Sequence, residues 1–205
     1  MNKLDIFSYI EDIIPNPVCE LNYSKDYELL IAVMLSAQTT DKRVNIVTSL
    51  LFSKYDSLDS LAGASLSDII DIIRRLGNYT KKSKAVIDIA KKINEFGYVP
   101  NDRVFLESLP MVGRKTVSVV LSELYNEPNI AVDTHVCRVS KRLSLASLDD
   151  DVLEVEAKLK KLLPKNKWCI SHLRLVWFGR YFCTSKNPKC DICELKKCCN
   201  YYKKN

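Results

Sequence analysis

D-R-V-F-L-E-S-L-P-M-V-G-R-K-T-V-S-V-V-L-S-E-L-Y, residues 102–125, is the stretch that decides the fold. Apolar side chains recur at helical spacing on either side of L-P-M-V-G (residues 109–113), where proline and glycine interrupt them. Two helices joined by so tight a turn form a helix-hairpin-helix. The turn and the start of its second helix expose backbone N–H groups, which suit a DNA phosphate. Val112, Gly113 and Arg114 are the candidate contacts. Such contacts ignore base sequence, as a protein that patrols duplexes requires. Standing alone, the segment also fits an ordinary turn between helices.

The helical pattern continues outward. Leu29, Leu30, Val33 and Ala37 share one face of a stretch that begins at Asp26. Ile69, Ile70, Ile72, Ile73 and Leu76 repeat the plan before Gly77, and a third stretch ends at Gly97. Further helices are predicted to open at Asp133 and after residues 149–151, and a last long one to run from near Lys167 to Phe178, delivering the chain to Cys183. No long alternating run is present, and five glycines with seven prolines leave little room for the turns of a many-stranded sheet. The predicted class is all-α.

Cys183, Cys190, Cys193 and Cys199 are spaced C-x6-C-x2-C-x5-C. Thiolates this close in sequence can converge on one centre, and soft sulfur selects zinc or an iron–sulfur cluster. Zinc ribbons usually offer two C-x2-C knuckles, whereas this motif has one. Its wider gaps suit a loop wrapped around a bulky core, a 4Fe–4S cluster with every iron held by cysteine. Zinc and unligated thiols stay open as alternatives, and Cys198 competes with Cys199 as the fourth ligand. Cys19, Cys137 and Cys169 read as buried apolar fillers.

A formal charge of +6 and a pI of 8.8 fit a polyanion partner only weakly. Placement says more. Six lysines stand against two acids from residue 183 onward, and Lys186 and Lys189 lie inside the first gap of the cysteine motif. They present cations to phosphate or belong to a solvated surface. The opening residues M-N-K-L-D-I-F-S-Y-I-E-D have no basic region followed by an apolar run, and no uncharged stretch reaches membrane-spanning length. The expectation is no signal peptide, no membrane and a reducing, cytoplasmic compartment where thiols survive to bind metal.

Lys115 follows Arg114 near a helix start, beside another cation and a positive dipole end, a setting that favours a nucleophilic amine. Asp133, in A-V-D-T-H, follows an apolar pair and precedes a helix, where a carboxylate caps the first amides. A surface lysine and a plain N-cap are the bland readings of the two. His135 reads as a hydrogen-bonding neighbour of Asp133, and His172, among Ile170, Leu173 and Val176, as a core histidine rather than a metal ligand.

Taken together, the hairpin with its lysine, the A-V-D-T-H segment and the cysteine loop resemble, in order and spacing, the endonuclease III family of helix-hairpin-helix DNA glycosylases. L-S-A-Q-T-T-D-K-R-V-N (residues 35–45) resembles that family's glutamine segment. The resemblance covers nearly the whole chain. It implies a six-helix barrel with the hairpin over residues 19–130, and an iron–sulfur domain from residues 1–18 and 131–205. It also implies a bifunctional DNA glycosylase/AP lyase of base excision repair, monomeric and nucleoid-associated, acting on double-stranded DNA with damaged bases or abasic sites. Lys115 would attack C1′ of a flipped nucleotide and Asp133 would stabilise the positive sugar. A Schiff base then permits β-elimination. The implied substrates are oxidised or ring-damaged pyrimidines. Gln38 would fill the hole left in the duplex, unless it is only a polar helix end. Cys183, Cys190, Cys193 and Cys199 would hold the 4Fe–4S cluster.

Three departures stand out. The family hairpin reads L-P-G-V-G, and Met111 replaces its first glycine, so the turn shifts or bears strain. The family's G-[LF]-Y-x-x-K-A segment becomes G-N-Y-T-K-K-S-K-A (residues 77–85), with Asn78 in the apolar position and the lysine–alanine pair two residues late. Cys198 is the third. A DNA-binding module with a structural metal, or an iron–sulfur electron carrier, would leave Lys115 and Asp133 without a role.

Overall fold

Asn2 starts the first helix. Its side chain accepts from the Leu4 amide while its own amide donates to Asp5 Oδ2 at 2.7 Å, a reciprocal cap on α1 (Lys3–Ile13). The computed structural model describes residues 2–204. After α1 come α2 (Asp26–Leu35), α3 (Asp41–Lys54), α4 (Leu58–Ala62), α5 (Leu66–Ile73), α6 (Tyr79–Asn94), α7 (Arg103–Glu107) and α8 (Arg114–Tyr125). Then follow α9 (Thr134–Arg142), α10 (Val152–Leu162), α11 (Trp168–Trp177) and α12 (Asn200–Lys204). No strand occurs among the described residues, and the fold is all-α. Contacts divide the chain into two units, Met1–Val18 with Asn126–Asn205, and Cys19–Tyr125.

In the Cys19–Tyr125 unit the helix α2 is buried along its length, with Leu29, Leu30, Ile31 and Leu35 fully enclosed. Each such side chain contributes about 1.5–3 kcal/mol of apolar burial. Around it pack α3, α6 and α8. Ile69 and Ile73, one turn apart on α5, turn inward as α5 packs on α6. Gly97, at φ 75°, donates its amide to the Ile93 carbonyl and ends α6 in the left-handed conformation that glycine adopts cheaply. Gly77 does not play that part for α5. The helix stops at Ile73, and the left-handed residue nearby is Asn78, at φ 57°. The six-helix barrel expected here contains seven helical segments, two of them, α4 and α7, only five residues long.

In the other unit, α9 packs against α10 and α11, with Val136, Val139, Leu175 and Phe178 in the core. The chain's start belongs here through Ile6, Ile10 and Ile14, which are buried in this core, and through polar bonds. Arg174 on α11 donates to Glu11 at 2.8 Å and to the carbonyls of Ile14 and Pro15, while Trp177 Nε1 donates to the Val18 carbonyl. The return from the other unit falls at Asn126 rather than after residue 130, because Ile130 is buried in this core and Cys169 Sγ donates to the Glu127 carbonyl. The last long helix, Trp168–Trp177, lies within a residue of its expected ends, and a π-helical turn, Phe178–Phe182, carries the chain on to Cys183, whose amide donates to the Phe178 carbonyl at 2.7 Å.

Candidate active site and cysteine loop

Leu109 and Val112 are buried beneath the turn between α7 and α8, and the Val112 amide donates to the Leu109 carbonyl. Pro110 as the second residue and Met111 as the third, at φ 61°, give this turn its type II character. The turn has therefore not shifted. Met111 takes the left-handed conformation that glycine would hold without strain, and its side chain stands exposed. Arg103 Nη1 donates to Ser118 Oγ at 3.3 Å and ties α7 to α8. Gly113 is exposed, and a Cβ built there would meet no atom within 4 Å, so the chain has open space beside it as α8 begins. The start of a helix directs amides outward along its axis, where an anion fits. Arg114 and Lys115 are the first two residues of α8, and both are exposed.

Gln38 is exposed on the turn that follows α2, also at positive φ, 58°. The Thr39 amide donates to the Ser36 carbonyl across it. Beneath this turn lies the residue that sequence reading missed. Lys82, on α6, is only 1 % exposed, and its Nζ donates to the carbonyls of Leu35 at 2.8 Å and Ala37 at 2.9 Å. Burial pushes its pKa below the ordinary lysine value. The lysine–alanine pair expected at Lys84 and Ala85 is not the one in use. Lys84 is exposed, and the fold buries Lys82, five residues after Gly77. The signal in the sequence was a lysine inside a mixed polar helix start, which reads as solvated.

Asp133 caps α9, its Oδ1 accepting from the Val136 amide at 2.7 Å. Asp133 and Lys115 belong to different units. The helix behind Asp133 is gripped from the far side. Arg138 Nη2 donates to the Gly179 carbonyl at 2.6 Å and lies 3.3 Å from His135 Nδ1. Burial lowers the His135 pKa; Asp133 raises it, and Arg138 and Arg180 oppose it. Gly179 makes this packing possible, since a Cβ there would come within 2.9 Å of the His135 Cβ. One turn further along, Arg142 Nη1 donates to the Thr184 carbonyl at 2.7 Å and to Cys183 Sγ at 3.4 Å, while Nη2 reaches the Ser185 carbonyl. Its guanidinium stacks on Tyr201, 3.9 Å from the ring centre. So α9 joins the Asp133 carboxylate at one end to the cysteine loop at the other. His172 is buried in the same unit.

Cys183 and Cys199 are buried, and Cys190 and Cys193 half-buried, all four as free thiols. Burial raises the pKa of Cys190 and Cys193, and the charges of the other motif cysteines raise it further. Cys198 differs. It senses Cys199 alone among the cysteines, and its Sγ donates to the Leu195 carbonyl. Among the described residues, no three His, Cys, Asp or Glu side chains converge as tightly as a single metal ion requires. Lys186 and Lys189 are exposed on the loop anchored by Arg142.

The profile of the HhH-GPD superfamily base excision DNA repair protein matches residues 31–165. Endonuclease III of Bacillus subtilis (strain 168) is 45% identical over 192 residues, spanning 93% of this chain and 88% of its own. The chain belongs to the endonuclease III family. Two solved structures, each 42% identical and covering 100% of this chain and 98% of theirs, superimpose with TM-scores of 0.94 and 0.93. The first is a non-covalent endonuclease III–DNA complex, and the second an endonuclease III–DNA covalent intermediate trapped as an estranged-adenine complex. An endonuclease III is a DNA glycosylase with AP lyase activity, and the chain is an enzyme of that class, working on DNA in base excision repair. No helix among the described residues is long and apolar enough to cross a membrane.

Proposed function

We propose that the enzyme removes oxidised pyrimidines from double-stranded DNA and then cleaves the abasic site through a lysine Schiff base. The observation that carries this reading is the exposed Lys115 at the second residue of α8, directly beyond the hairpin turn, in a chain akin to a protein trapped covalently on DNA. The amides of Gly113 and Arg114 would hold a phosphate beside the lesion, while that of Val112, expected to join them, is spent on the Leu109 carbonyl and closes the turn. The damaged nucleotide leaves the stack. The Lys115 amine attacks C1′, the C1′–N bond breaks, and the base departs with the bonding electrons. Asp133 stabilises the positive sugar in this step. The amine, losing a proton as the sugar ring opens, becomes a protonated imine with C1′. That imine acidifies the C2′ proton, whose removal expels the 3′ phosphate by β-elimination. Gln38 would occupy the hole in the duplex, and Lys186 and Lys189 would meet phosphates. The protein acts as a monomer.

Cys183, Cys190, Cys193 and Cys199 fit a 4Fe–4S cluster. Two of the four are buried and two half-buried, and their soft all-sulfur set with a single C-x2-C suits a cubane core better than a zinc ribbon. Such a cluster supplies rigidity to the loop rather than a step in base excision.

Borohydride trapping tests the reading. Wild-type protein with an abasic-site duplex forms a reducible covalent adduct, and Lys115→Ala forms none. Asp133→Asn slows base release from a thymine glycol duplex while DNA binding persists. An undiminished adduct in Lys115→Ala would remove the lysine from the mechanism.

A further inference from the structure

We propose that Lys82 is a positioning residue, its ammonium holding the turn at Gln38 in one conformation so that this side chain enters the duplex ready-formed. The inference deepens the reading of Gln38 as the gap-filling residue and rests on it. The geometry is specific. α2 is buried from Tyr27 to Leu35 and carries no basic residue in its own last turn, so its C-terminal carbonyls and dipole lack a local cation. Lys82 supplies one from α6, reaching the Leu35 carbonyl before the turn and the Ala37 carbonyl within it. Gln38 follows immediately, exposed and left-handed.

Left to itself, a non-glycine residue at φ 58° relaxes toward negative φ. That rotation would re-aim both the side chain and the peptide joining residues 37 and 38. A charge-assisted bond to the Ala37 carbonyl opposes it. Lys82 also belongs to the first turn of α6, where its amide donates to the Asn78 carbonyl, and Asn78 is likewise exposed and left-handed. One buried residue therefore touches both left-handed turns, the Gln38 turn through its side chain and the Asn78 turn through its backbone amide. Held rigid, they lose little conformational freedom on meeting DNA. A helix cap that served stability alone would have no need to bond within the turn as well as at the helix end.

A double-mutant cycle on the full-length, cluster-loaded enzyme tests this. Lys82→Met fills the same space without a donor. On a lesion-bearing duplex it lowers kcat/KM about tenfold, Gln38→Ala does the same, and the double variant is no worse than either single one. 2-Aminopurine placed opposite an abasic site reports the same loss of insertion in both single variants, and Lys82→Arg, which keeps the charge and donors, recovers most of the signal. Should Lys82→Met not fold, Lys82→Gln, which keeps one donor, carries the same comparison. Losses that multiply in the double variant would make Lys82 merely structural and overturn the inference. A defective Gln38→Ala beside an unimpaired Lys82→Met would overturn it while sparing Gln38. A wild-type Gln38→Ala would remove the gap-filling reading itself, and this inference with it.

Discussion

In the unit that carries Lys115, its helix α8 is held by apolar contact. Val117, Val120 and Leu121 are fully buried, and α8 packs on α2, which is itself enclosed. In the unit that carries Asp133, α9 also buries Val136 and Val139, yet its C-terminal half is held by polar bonds. Arg138 and Arg142 reach carbonyls some forty residues away at Gly179, Cys183, Thr184 and Ser185, and one of them touches a cysteine sulfur. Apolar packing holds without any further component. A clasp on a loop of four thiols holds only as well as the loop does, so the grip on α9 would tighten with the cluster proposed for those thiols. Both tryptophans, Trp168 and Trp177, lie in that unit, so their emission follows it alone, while helical circular dichroism follows both.

The largest expected effect comes from cutting the clasp. Arg142→Met removes the donors to Cys183 Sγ, Thr184 and Ser185 but none of the four thiols. Charge-assisted bonds of this kind contribute about 1.5–3 kcal/mol. Iron analysis should find about four irons per wild-type chain, and the variant should lose them faster to a chelator. The unfolding free energy followed by tryptophan emission in denaturant should fall by about 2 kcal/mol. The helical signal should then separate into two transitions. A single coincident transition would mean that the units unfold together and that the contrast between them has no energetic meaning.

A smaller effect, of opposite sign, belongs to the other unit. Met111 sits in a conformation that costs a non-glycine residue about 1–2 kcal/mol, and glycine gives back part of that through its freer unfolded chain. Met111→Gly should stabilise by about 0.5–1 kcal/mol net. Circular dichroism should register the gain and tryptophan emission should not. The same change should tighten binding to an abasic-site duplex, since the turn no longer resists its working shape.

These residues also mark how far the sequence could be read. The caps at Asp133 and Asp151 were legible because a carboxylate before a helix has a local partner three residues on. At Met111 the resemblance to a family hairpin with glycine there left a shifted turn and a strained one both open, and the structure has the strained one. Lys82 was not legible, because K-K-S-K reads as solvated and its acceptors lie 45 and 47 residues upstream. The reach of Arg138 and Arg142 was hidden for the same reason. What sequence hid in these cases was a polar bond of long range.

The smallest effects are at the extremes of pH, where the two units should fail in opposite directions. Tyr23 donates to Glu123 at 2.9 Å, and burial together with that carboxylate pushes its phenol up to about 12. A raised pKa favours folding below the unfolded value of about 10, and that stability is lost as pH climbs from there through the folded value. Asp150 accepts from Lys158 at 2.6 Å and from the Ser147 amide, and the lysine holds its carboxyl below the usual range. A depressed pKa favours folding above the unfolded value of about 3.9, and that stability is lost as pH falls through the folded one. Tryptophan emission should therefore report the acid loss, flattened by Asp150→Asn. Helical signal without a tryptophan change should report the alkaline loss, flattened by Tyr23→Phe. If both variants moved both probes equally, the two units would share one titrating network, and the separation between an apolar unit and a clasped one would not survive.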